Sequence, residues 1–249
     1  MKTLVTRLFS KFGYELNLRK WSDVPGDIGE KDFEDIFYKC KDYTMTQVYR
    51  MYSLYMATRY ISKNNIKGDF VECGVWRGGS AMLSAHVLMN LNDTSRDFYL
   101  YDTYEGMSEP TEKDKSWKYD SVKDLWQKSK KNGVSDWCYA GLDEVRNNLY
   151  KTGYPHDRFK FIKGKVEDTI PAVIPQSISL LRLDTDWYES TIHELLHLYP
   201  LVSSRGVIIL DDYGFWKGSR EAVDEYFSKN NIHVILNRID GSGRIFIKP

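Results

Sequence analysis

Short apolar runs alternate with longer amphipathic stretches along most of the chain. Residues 44–64, TMTQVYRMYSLYMATRYISKN, set Met45, Val48, Tyr52, Tyr55, Met56 and Tyr60 at three- and four-residue steps. That spacing predicts a long helix that packs on the core through this stripe. Five apolar runs then read as strands: FVECGV (70–75), DFYLYDTY (97–104), RFKFIKG (158–164), ISLLRLD (178–184) and GVIILDDY (206–213). Each is followed by helical sequence, such as SAMLSAHVLMNL after the first. The end, HVILNRIDGSGRIFIKP, is two short β runs around Asp240–Gly243, a hairpin signal. The alternation predicts an α/β fold with a mostly parallel sheet and right-handed crossovers, to which the hairpin adds an antiparallel strand.

Four apolar runs end in acids. In an open parallel sheet the C-terminal strand ends share one edge, where ligands bind. The pattern therefore gathers Glu72, Asp102, Asp184, Asp186, Asp211 and Asp212 on one rim. Residues 105–157 interrupt the alternation with polar sequence that carries Trp117, Trp126 and Trp137. Fifty residues exceed an ordinary loop and predict inserted helices beside that rim. Residues 1–42 read as a short basic helix, with Leu4, Val5, Leu8, Phe9 and Phe12 at helical spacing, then a turn at Pro25–Gly26 and an acidic stretch. We read the whole of 1–249 as one domain, with 1–64 as a helical segment that helps to cover the site.

Composition narrows the function. The chain has 249 residues, 35 basic and 35 acidic, so no basic excess marks it for nucleic acid. Three cysteines, Cys40, Cys73 and Cys138, are scattered without CxxC spacing, which points to a reducing, cytoplasmic setting. No apolar run is long enough to span a membrane. The first helix is expected to pack on its own domain or on a sister subunit of a homo-oligomer.

Three motifs carry chemistry. The turn Glu72-Cys-Gly74-Val75-Trp76-Arg77-Gly78-Gly79-Ser80 leaves a strand and enters a helix, where glycines admit a ligand close to the backbone. It lacks the G-x-G-x-x-G spacing of a dinucleotide fold. Asp102, at the tip of the second strand, is placed to hold a ribose diol, as found in both NAD and S-adenosylmethionine. Asp184, Asp211 and Asp212 end two strands that would lie about 4.8 Å apart as neighbours. Each carboxylate pair at such range costs about 4 kcal/mol at an effective dielectric of 20, so either their pKa values rise or a cation sits between them. An all-oxygen set favours a hard ion such as Mg2+. Asp186 competes for a place, because residues i and i+2 share a side of a strand. The stretch His193-Glu194-Leu195-Leu196-His197 matches the zinc pattern H-E-x-x-H. It has no evident third ligand, and Leu195, Leu196 and Leu198 look like the core face of a helix that leaves the rim.

Taken together, YTM (43–45), DFVECGVWRGGSAM (69–82), YDTYEGMSEP (101–110), LDEVRNNLYKTGYP (142–155), FIKGKVEDTIP (161–171), residues 180–214 and AVDEYF (222–227) resemble the macrocin-type O-methyltransferases. These are class I S-adenosylmethionine-dependent enzymes that act on sugar hydroxyls. The resemblance implies a Rossmann-like fold with a seven-stranded sheet. It implies that Glu72, Gly74, Val75 and Ser80 surround the methionine part of the cofactor, that Asp102 holds the ribose, and that Gly164, Val166 and Glu167 lie near the adenine. It further implies Mg2+ on Asp184, Asp211 and Asp212, with Asp184 also beside the cofactor as the base, and a glycan, nucleotide sugar or glycosylated natural product as acceptor. An NAD-dependent oxidoreductase would want G-x-G-x-x-G and has no use for the aspartates. An inactive, cofactor-binding homologue is distinguished only by turnover.

Overall fold

The computed structural model describes residues 23–131 and 134–249. The helix expected from Leu4 to Phe12 lies outside them. By its contacts the chain divides into residues 1–31 and 32–249.

The strands are β1 (Asp69–Cys73), β2 (Phe98–Asp102), β3 (Lys130–Lys131), β4 (Val134–Ser135), β5 (Phe159–Lys163), β6 (Ile178–Leu183), β7 (Val202–Leu210), β8 (Asn237–Arg238) and β9 (Arg244–Ile247). The helices are α1 (Lys31–Cys40), α2 (Val48–Lys63), α3 (Gly79–Asn90), α4 (Val122–Lys128), α5 (Leu142–Tyr150), α6 (Val166–Thr169), α7 (Tyr188–Leu198) and α8 (Lys217–Lys229). Seven strands make one sheet in the order β5-β2-β1-β6-β7-β9-β8. Neighbours from β5 to β7 are parallel, and β9 runs antiparallel to both β7 and β8. The α/β expectation, the mostly parallel sheet and the terminal hairpin are all present.

Burial explains the order. Every residue of β6 is buried, as a central strand covered on both faces requires. Val71, Leu181, Leu183, Ile208, Leu210 and Phe246 from the sheet pack with Leu195 and Leu198 of α7 and Val223 of α8. β7 starts before its apolar GVIIL run, because Val202 pairs with Ile178 across a register shift.

Three expectations change. Helix α2 forms, but its buried residues are Met51, Leu54, Tyr55, Ala57, Thr58 and Ile61. Of the expected stripe only Tyr55 is buried, while Met45 and Met56 are exposed. The inner face is a neighbouring stripe at the same helical spacing, Met51, Leu54, Tyr55, Thr58 and Ile61, with Thr58 Oγ1 3.1 Å from Ser84 Oγ of α3. The stretch read only as acidic is α1, which buries Phe33, Ile36, Phe37 and Cys40. The insertion holds α4, the β3–β4 ribbon and α5, but much of it is irregular chain tied to the body. Trp126 is buried there and donates to the Met107 carbonyl, whereas Trp117 is exposed with Lys217 over its ring. Among the described residues no helix is long and apolar enough to cross a membrane.

Candidate active site

The sheet's parallel strands point their C-terminal ends at one cavity of about 650 Å3. Its walls include the turn after β1, the tips of β2 and β6, the segment after β5 and part of the insertion. Gly74, Val75, Ser80, Asp102, Gly164, Val166, Glu167, Asp184, Asp186 and Asp211 all line it. Nine of these were expected as site residues and the tenth, Asp186, as a competitor. Glu72 and Asp212 do not line it.

The turn after β1 is shaped by backbone geometry. Gly74 has φ +83°, and a Cβ there would stand 1.9 Å from the Asp184 carbonyl oxygen. The close approach of β1 and β6 at their ends therefore requires glycine. Gly79 is equally confined, since its Cβ would meet the Tyr43 carbonyl at 2.6 Å. Asp102 holds the same turn from the side. Its Oδ2 accepts from the N–H groups of Val75 (2.7 Å) and Trp76 (3.0 Å), and its Oδ1 from that of Tyr104 (2.7 Å). Burial raises its pKa, and those three N–H groups act against the rise. A carboxylate has about four acceptor positions, so these bonds leave room for one further hydroxyl rather than a two-pronged grip on a diol.

The opposite wall is made of charge. Asp184, Asp186 and Asp212 bring carboxylate oxygens within 4.8 Å of one another, and among the described residues they are the one group able to hold a metal ion. Burial raises the pKa of all three, Asp186 to about 7, and neighbouring carboxylates push the same way. The donor set is all oxygen, half-buried and in excess of negative charge, which fits a hard divalent cation. The grouping differs from the expected trio. Asp211 points away from Asp212, as successive residues at a strand end do. It lies between two guanidiniums instead: Arg50 pairs with its Oδ2, and Arg182 is 3.0 Å from its Oδ1. Asp186 takes its place in the cluster.

Arg182 explains Glu72. This arginine is nearly buried and reaches Glu72 at 2.7 Å, Asp184 at 2.7 Å and Asp211. Glu72 is fully buried beneath the cavity, where burial pushes its pKa up to about 7 despite the arginine. It supports the rim from below and does not face the space. Arg50, on α2, also bonds Asp240 of the hairpin turn at 2.7 Å, so one side chain ties α2, β7 and the hairpin together.

Sequence reasoning missed both arginines. A lone charge inside the apolar run LLRLD was a readable sign for Arg182, since a buried charge needs partners. Arg50 left no such sign on a helix of mixed composition. The aromatic wall was also misplaced. Trp137 lines the cavity with Tyr119, Phe215 and Trp216, while Trp117 and Trp126 do not. Trp137, Trp187 and Trp216 lie 5.2–6.1 Å apart, centre to centre. Trp76, Cys138 and Asp186 line the cavity with positive φ, a strained conformation that clusters at functional sites.

The sequence matches the family described as macrocin O-methyltransferase over residues 32–248. A tetracenomycin-C 4'-O-methyltransferase from Streptomyces olivaceus, acting on an 8-demethyl-8-(2,3-dimethoxy-alpha-L-rhamnosyl) form, is 33% identical over 201 residues, 81% of this chain and 74% of its own. The mycinamicin III 3''-O-methyltransferase of Micromonospora griseorubida is 29% identical over 246 residues, 96% of this chain and 92% of its own. Among solved structures, the O-methyltransferase NovP superposes with a TM-score of 0.73 at 30% identity, covering 83% of this chain and 82% of its own.

Proposed function

We propose, from the premise that the chain belongs to the macrocin O-methyltransferase family and is an S-adenosylmethionine-dependent O-methyltransferase, that it methylates a sugar hydroxyl with the help of Mg2+. The observation that carries this reading is the convergence of the Asp184, Asp186 and Asp212 carboxylates, the first two of which line the cavity that the glycine turn also borders. The relatives' names support a sugar-bearing acceptor. Such a setting belongs in a reducing compartment such as the cytoplasm.

In this reading the turn from Gly74 to Ser80, with Asp102 and the segment Gly164–Glu167, binds the cofactor. Asp184 and Asp212, common to the expected and observed groupings, hold Mg2+, which supplies a Lewis acid that makes a bound hydroxyl more acidic. Asp211 is already neutralised by two guanidiniums, so its loss weakens the ion less. The base is Asp186 rather than Asp184. Asp184 carries an arginine, whereas Asp186 carries none, so its carboxylate is the freer of the two to accept a proton. Asp186 takes the hydroxyl proton at a carboxylate oxygen as the methyl group passes to the acceptor. Trp137, Tyr119 and Trp216 offer ring faces that orient a sugar and exclude water.

The test is a labelled-methyl transfer assay across nucleotide sugars, glycosides, catechols, peptides and RNA, with Mg2+ and with EDTA. Transfer to a sugar that stops in EDTA is expected. Transfer to catechol or peptide alone rejects the acceptor, and undiminished transfer in EDTA rejects the metal.

A further inference from the structure

The H-E-x-x-H stretch has no part in the chemistry above, yet its glutamate is tightly constrained. Glu194 is 0% exposed, rare for an ionisable side chain. Its Oε1 accepts from Thr185 Oγ1 at 3.0 Å, and its Oε2 has no hydrogen-bond partner among the described residues. The Cys73 thiol lies against the same carboxyl. Burial holds Glu194 well above the usual carboxylate range. His193 and His197 lie elsewhere on α7, half-buried with ring centres 4.5 Å apart, and His193 Nε2 meets the Ile170 carbonyl at 2.9 Å. Leu196, expected in the core, is exposed, so the inner face of the motif is Glu194 with Leu195.

Thr185 is the middle residue of the turn from β6 into α7, between Asp184 and Asp186. Asp186 has φ 66°, a conformation that is costly for a non-glycine residue and persists only when its surroundings hold it. Two backbone bonds do so: the Asp186 N–H donates to Asp212 Oδ2 at 3.0 Å, and the Trp187 N–H to the Thr185 carbonyl at 2.7 Å. The Thr185–Glu194 bond adds a side-chain tie to the helix beneath.

We propose that Glu194 is a positioning residue: through Thr185 it holds the turn in its left-handed form and so keeps Asp184, Asp186 and Asp212 converged. This rests on the reading of that cluster as the reacting centre. It explains why an acid is tolerated at a fully buried helix position that an apolar residue would fill at lower cost.

The test uses the full chain with Glu194→Gln, Glu194→Leu, Thr185→Val and the Leu/Val double variant. Amide exchange at Asp186 and Trp187 is read by NMR beside Tm, Mn2+ affinity and kcat. Removing either partner is expected to speed exchange at both amides about fivefold, the worth of one ordinary hydrogen bond. The double variant should exchange no faster than either single. Gln, which keeps the acceptor, should behave as wild type, and kcat should fall in step with exchange while KM for S-adenosylmethionine holds. Wild-type exchange in Thr185→Val, or additive effects in the double variant, overturns the proposal. Thr185→Val decides the matter should Glu194→Leu not fold. A wild-type chain that binds no Mn2+ and methylates no sugar sinks the functional reading, while the exchange rates still judge the tie.

Discussion

The two walls of the cavity are built on different principles. After β1 the wall is backbone: Gly74 and Gly79 sit where a Cβ would collide with main-chain oxygens, and three N–H groups converge on Asp102. After β6 and β7 the wall is side chain: the carboxylates of Asp184, Asp186, Asp211 and Asp212 gather there, with Arg50 and Arg182 paired to Asp211 and Asp184 and, beneath the rim, to Glu72 of β1. A backbone wall has one arrangement, because hard-sphere contacts forbid the others. A charged wall can exchange partners at modest cost, since each carboxylate has more than one cation or proton to choose from. The first suits a part of the ligand that never changes, and the second suits the place where protons move.

Gly74→Ala should break the backbone wall outright. The added methyl stands 1.9 Å from a main-chain oxygen at a positive φ, so β1 and β6 must part. A loss of about 3 kcal/mol or more of stability is expected, with S-adenosylmethionine binding lost, checked by thermal unfolding and calorimetry. Near-normal binding would mean that the wall yields like its counterpart.

The charged wall should fail differently. Asp184→Ala and Asp212→Ala are expected to lower kcat at least about 100-fold while leaving cofactor affinity near wild type. Asp211→Ala should cost less, because it frees two arginines rather than removing a shared ligand. Steady-state kinetics with Mg2+ titration ranks the three. Loss of the ion in Asp211→Ala alone would restore the trio first expected.

Asp102→Asn sharpens the contrast, since Asn keeps the shape but loses the charge and sets a donor NH2 against one of the backbone N–H groups. A drop in S-adenosylmethionine affinity of about tenfold, near the 1.5–3 kcal/mol of a charged hydrogen bond, is expected by calorimetry. The smallest effect belongs to Trp137→Leu. Loss of one ring face should raise acceptor KM about threefold with kcat held, as one stacking contact is worth about 0.5–1.5 kcal/mol. An unchanged KM would remove the insertion from acceptor binding.

The same contrast governs what was legible in the sequence. The strands, the hairpin and the glycine turn follow from periodicity and from residues that only one backbone tolerates, so they were readable. Gly74, Ser80, Asp102 and Gly164 came out at the cavity for that reason. Side-chain pairing leaves no periodic trace. Nothing in DDY says that Asp211 turns to Arg50 while Asp212 turns to Asp186, and nothing in VYRMYS marks Arg50 as their partner. The α2 stripe failed because two apolar stripes run side by side at helical spacing on that helix, and periodicity alone does not choose the one with Met51, Leu54 and Ile61. Trp137 was separable from Trp117 and Trp126 only once the insertion had a path.

The three indole rings clustered behind and along the cavity wall give the molecule an optical property. Trp137, Trp187 and Trp216 are edge to face or tilted at 5.2–6.1 Å, close enough to share excitation, and two of them border the space a ligand enters. Any occupant that shifts Trp137 changes the emission of the group and not of one ring. Occupancy of the acceptor side can thus be followed by intrinsic fluorescence, without a label and without turnover.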